Sequence, residues 1–193
     1  MTAEEIVEAI KELKTVATLQ KMGLGKDGIE WVKSLGDVPA RSVWRACVNP
    51  EWLGCFLESL HKRGRLSPKY LVSAAVACAE SVEHLSRNDG GRVRRANEAV
   101  RGWLRGKVTE EELEAAKIGA YVAAASQDRE RVHAATTAAT AAASAKNDVL
   151  YVHDAIAAAA KVKEAKELCD VIRAEVAWEI VQEAFNKEQA DER

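Results

Sequence analysis

The sequence predicts an all-α protein, a single-domain multi-helix bundle whose second half is an alanine-rich helical array. Three observations carry that expectation. Between Ala115 and Ala160 about two residues in five are alanine and no proline interrupts; alanine forms helix best because its side chain loses no rotamer freedom. The chain has only three prolines, and each follows a helix-capping residue, in Asp37-Val38-Pro39, Asn49-Pro50 and Ser67-Pro68, where the missing N–H costs nothing. Aromatic residues make up 5% of the chain, and few valine or isoleucine alternations of period two occur. At 193 residues the chain fits one substantial domain. We expect a helical segment over residues 1–36 packed on a main bundle over residues 37–186, with a solvated, frayed tail at 187–193.

In chain order, Thr2 and Glu5 form a capping box. Ile6, Ile10, Leu13 and Ala17 then recur at helical spacing opposite Glu4, Glu8, Lys11 and Glu12. This helix should end near Met22, before Gly23 and Gly25. The run Gly23-Leu24-Gly25-Lys26-Asp27-Gly28 fits the spacing of a dinucleotide-binding loop, but that loop must follow a strand and the residues before it read as helix. A short helix over 27–35 follows, then one over 39–48. The helix opened by Pro50 should stop at Gly64, with Trp52, Cys55, Phe56, Ser59 and Leu60 on one face. The helix opened by Pro68 should run to about Ser86, with Tyr70, Leu71, Ala74, Ala75, Cys78, Val82 and Leu85 as its stripe. After the turn Asn88-Asp89-Gly90-Gly91, a helix over 92–105 presents Val93, Ala96, Ala99, Val100, Trp103 and Leu104. A second capping box, Thr109 with Glu112, heads the alanine region. Breaks are expected at Gln127-Asp128 and Lys146-Asn147-Asp148, and one final helix over 160–186. Alanine faces are thin, so the tryptophans of the first half should supply the bulk that fills the core above them.

A formal net charge of -2 and a pI near 6.1 give no global electrostatic reason to bind nucleic acid or an anionic membrane. The acidic start lacks a secretory signal pattern, and nothing reaches the roughly 20 apolar residues of a membrane span. The expected location is therefore cytoplasmic. In that compartment Cys47, Cys55, Cys78 and Cys169, which show no close pairing in the sequence, read as small buried hydrophobes.

The run from Ser73 to Val82, then Asp89 and Arg92, then Ala96-Asn97-Glu98-Ala99-Val100-Arg101-Gly102-Trp103-Leu104-Arg105-Gly106, then an alanine-rich array with His133 and His153, resembles the Imm-5-like immunity proteins. The resemblance covers about residues 70–160 and extends to phage-encoded relatives. It implies a helical protein that acts by binding another protein, a toxin or a host or phage factor, with no catalytic residues and no cofactor. The chain differs from the family pattern in the two glycines between Asp89 and Arg92 and in the missing proline.

Apart from the resemblance, the residues leave three chemistries open. Glu80 and His84, four apart on a helix, could hold a metal if His133 and His153 on other helices joined them. Arg94, Arg101 and Arg105 share one face of a basic helix that could meet phosphate or an acidic protein. Trp31 and Trp44, on short helices, together with those arginines form the candidate partner-binding set, because exposed tryptophan beside arginine marks interface hot spots. A homo-oligomer remains open as well.

Overall fold

The computed structural model describes residues 25–36, 39–86, 89–125, 130–144 and 150–191. Among the described residues the chain is all helical, with ten α-helices, one 3-10 turn and no strand. The helices are α1 (Lys26–Ser34), α2 (Ala40–Ala46), α3 (Pro50–Lys62), α4 (Pro68–Val82), α5 (Arg92–Leu104), α6 (Glu110–Ala125), α7 (Glu130–Ser144), α8 (Leu150–Ala160), α9 (Ala165–Glu175) and α10 (Trp178–Asp191), with the 3-10 turn Glu83–Ser86 between α4 and α5. The capping box at Thr2 and Glu5 and the helix expected after it lie outside the described residues.

Local chemistry sets most of the helix starts. The Asn49 side chain accepts the Glu51 and Trp52 amides at 3.0 and 3.3 Å, and Ser67 Oγ accepts the Lys69 amide at 3.4 Å, so Pro50 and Pro68 each open a helix. Pro39 sits one place earlier and is itself the residue before the first turn of α2. Thr109 and Glu112 form the expected box, with bonds of 2.8 and 3.2 Å between each side chain and the other's amide. The buried Asp89 carboxylate takes the Gly91 and Val93 amides at 2.7 Å each and so holds the start of α5. Gly64 and Gly106, with φ of +71° and +68°, turn the chain after α3 and α5 in the left-handed region.

The fold is built around α4. The sequence pattern promised a stripe; the structure buries Leu71, Val72, every residue from Ala74 to Ala79, and Val82. Helices α3, α5, α7, α8 and α9 all pack against it. A helix enclosed on every side must be apolar all round and narrow enough for five neighbours to approach, which alanine, valine and Cys78 allow. On α3 the buried set includes Leu53 and Leu57 beside Phe56 and Leu60, so the face is turned from the expected one and Trp52, Cys55 and Ser59 are only half-buried. The alanine helices α6, α7 and α8 lie in sequence order as neighbours, α7 between the other two.

The long final helix expected over 160–186 is instead two helices, α9 and α10. Val176, with φ of -118° and ψ of 92°, breaks it between α9 and α10, although neither glycine nor proline marks the spot. The break buries Val176 and sends α10 back across α2 and α3, where Phe185 meets Phe56 at 6.1 Å. Tertiary burial outweighs helix propensity there. Helix α10 also continues past Asn186 to Asp191, beyond where fraying was expected. Aromatic contacts link Trp31 to Trp52 at 5.4 Å and Trp44 to Phe56 at 6.0 Å. This cluster ties α1, α2 and α10 to α3 instead of filling the space above the alanine helices; α4 does that.

Gly102 is buried near the end of α5, where the chain folds back so that Val108 covers it. A methyl group there would collide with the β-branched Val108 side chain. Gly102→Ala should therefore lower stability by about 1 to 3 kcal/mol, despite alanine's better helix propensity, as read from the urea midpoint.

Candidate functional site

Among the described residues a groove of about 480 Å³ runs along the outer side of α7. Its origin is the alanine composition itself. The inner face of α7, with Ala134, Ala135, Ala138, Ala139, Ala142 and Ala143, is buried. Its other side carries His133, Thr137, Thr140, Ala141 and Ser144, a stripe at helical spacing that lines the groove floor with Ala157 and Ala158 of α8. Ser144 Oγ donates back to the Thr140 carbonyl at 2.9 Å, which removes one polar group from the floor. Tyr121 of α6 and Tyr151 of α8 form the walls, with Asp154 and Lys161 adding opposite charges.

Tyr121 is 66% exposed, and Ile118, Val122 and Tyr151 are also largely in solvent. Helix α6 thus buries Leu113, Ala120 and Ala123 on one face while offering Ile118, Tyr121 and Val122, at i, i+3 and i+4, on another. An exposed apolar stripe beside a trough floored by small side chains is unusual for a surface that meets only water. The sequence carried this signal in the tyrosines of the alanine region and in the His133, Thr137, Thr140, Ser144 spacing. Attention to tryptophan missed it.

Trp44, expected on a docking surface, is 4% exposed and packed on Phe56; its size serves the core, so it offers nothing to a partner. Trp31 is half-buried against Trp52. Arg94 and Arg105 are exposed, Arg94 lying 3.8 Å from Glu98. Arg101, by contrast, is half-buried. Its guanidinium bonds Glu80 of α4 through Nε and Nη2, at 3.0 and 2.7 Å, and Glu175 of α9 through Nη1 and Nη2, at 2.8 Å each. Ser73 of α4 donates to Glu175 and accepts from Arg101 Nη1 at 3.2 Å. A planar fork with five donors fits two carboxylates at once, so Arg101 clamps three helices together and is not free for phosphate.

Glu80, the carboxylate proposed to join His84 on a metal, is held by this clamp. Among the described residues no group of three or more histidine, cysteine, aspartate or glutamate side chains is placed to hold a metal ion. Among those residues, too, no helix is long and apolar enough to cross a membrane. No family model matches the chain, and no curated protein or solved structure matches it significantly.

Burial works against ionisation of Glu175, but hydrogen bonds from Arg101 and Ser73 and the guanidinium charge outweigh it and hold the carboxyl below its ordinary range. A carboxyl depressed by folding contributes stability that is fully present above the unfolded value of about 4.3 and lost as the pH falls through the folded one. Arg101→Met should cost about 2 to 4 kcal/mol at neutral pH, short of a fully sealed pair because Glu80 is partly open to water. The same variant should flatten the acid limb of stability against pH below about pH 5; denaturant titrations from pH 3 to 7 check both.

Proposed function

We propose that the protein acts by binding another protein, as a non-enzymatic, cytoplasmic, immunity- or inhibitor-like component of a phage or bacterial conflict system. The observation that carries the binding reading is the pair of exposed tyrosines, Tyr121 and Tyr151, standing on either side of a trough floored by small side chains. Tyrosine supplies large contact area with few rotors to freeze and a hydroxyl for a hydrogen bond, which is why it is enriched at interface centres. Ile118 and Val122 extend the apolar area on the same helix, and Asp154 and Lys161 provide charges that fix a partner's register. The resemblance to Imm-5-like proteins adds the conflict-system setting. Helix α6 packs on α5, α8 on α4, and α7 on both, a seating that suits a surface that recognises by complementarity.

The test begins with capture of the partner by the unaltered chain and its identification, followed by binding of the two purified proteins. Tyr121→Ala combined with Tyr151→Ala should weaken that binding by about 100-fold or more, with helical circular dichroism and thermal midpoint unchanged. Binding within about twofold of the unaltered chain would place the interface elsewhere.

A further inference from the structure

The trough face carries projections and a hollow side by side. Four large apolar side chains lie exposed on the two helices that wall it, Ile118, Tyr121 and Val122 on α6 and Tyr151 on α8. Between the tyrosines the floor is made of small residues, Thr137, Thr140 and Ala141 of α7 with Ala157 and Ala158 of α8. A face of this kind can meet a copy of itself across a two-fold axis, because each copy then receives the other's projections and offers its own.

The charges of α8 decide how such a copy would lie. Tyr151, Asp154, Ala158 and Lys161 all line the trough, at i, i+3, i+7 and i+10. Lys161 follows the last residue of α8, and its amide still bonds the Ala158 carbonyl at 3.3 Å, so it continues the same turn. Asp154 and Lys161 are both exposed. They stand about two turns apart, beyond the one-turn spacing at which ion pairs form along a helix. Ala157 and Ala158 lie midway between them. A second α8 laid antiparallel, with its own Ala157 and Ala158 over these two, brings its Lys161 to Asp154 and its Asp154 to Lys161. Both ion pairs form at once about the two-fold axis, whereas a parallel copy in register would set like charges opposite each other. Alanine at the crossing point also suits the arrangement, since the side chains at a helix contact set how closely the axes approach.

We propose that the trough face pairs with the same face of a second copy of this chain, as a two-fold dimer with its α8 helices antiparallel and Asp154 and Lys161 exchanging ion pairs. The tyrosines of each copy then pack against the other copy's trough. This pairing rests on the reading of the trough as a protein-recognition surface and names a second copy as one occupant of it. The two occupants compete. Self-pairing covers Tyr121 and Tyr151, so capture of another protein draws on the monomer, and its apparent affinity falls as the concentration of the chain rises. A few large side chains and two exposed ion pairs make a small contact, which places the dimer among the weak associations, with a dissociation constant on the order of 10 µM.

Sedimentation velocity of the full-length protein at low ionic strength, from about 1 µM to about 500 µM, tests the pairing. The unaltered chain should pass from monomer to dimer within that range. Asp154→Lys alone and Lys161→Asp alone each set like charges opposite each other at both pairing positions, and each should weaken the dimer by about tenfold or more. An equimolar mixture of the two variants restores opposite charges at both positions, and so does the doubly exchanged chain, Asp154→Lys with Lys161→Asp. Both should associate within about threefold of the unaltered protein, a recovery that only a second copy in this register produces. A chain that stays monomeric over the whole range, a dimer indifferent to both reversals, or a loss that mixing does not restore overturns the proposal. None of these results touches the binding of another protein, which is read separately from the Tyr121→Ala and Tyr151→Ala variant with the captured partner.

Discussion

The enclosure of α4 is the constraint from which the rest of the architecture follows. A helix with protein on every side can carry no charge across its middle turns, because no water remains to solvate one. It must also be slim, because five helices have to approach it closely. The run Ala74 to Ala79 meets both demands. Polarity flanks this run at Ser73 and Glu80, and there it is taken up at once by Arg101 and Glu175. The same guanidinium that satisfies α4 fixes the angle at which α5 and α9 leave it, so a polar clamp sets what the apolar packing leaves free.

A slim centre calls for slim neighbours, and the outer surface reflects that. Helix α7 buries a face made almost wholly of alanine and α8 one of alanine with Val152 and Ile156; the short outward side chains of α7 keep that surface close to the backbone. Threonine, serine and alanine there leave a trough, and the tyrosines beside it stand proud because nothing of comparable size surrounds them. The proposed recognition surface is in this sense a by-product of core packing: the composition that lets the alanine helices close on α4 also hollows the side facing solvent.

At the opposite end the design is different. Trp31 meets Trp52, and Trp44 and Phe185 each meet Phe56, in tilted aromatic contacts that supply bulk where the alanine layer uses closeness. Helix α2 ends within this aromatic cluster, at Cys47, and its last carbonyls need partners. Arg173 supplies donors to two of them and thereby brings α2 against α9.

The chain's own residues determined the helical class, the helix starts at Asn49, Ser67 and Thr109, and the turns at Gly64 and Gly106, because caps, prolines and glycines act within a few residues of themselves. The loss of helix at Val176, the turned face of α3, the burial of Trp44 and the capture of Arg101 by two carboxylates depended on residues far away in the chain. Nothing local distinguishes a tryptophan that fills a gap from one that waits for a partner, or an arginine in solvent from one spanning three helices. Those outcomes rest on which surfaces win the competition to leave water, a sum over the whole molecule that only the packed arrangement decides.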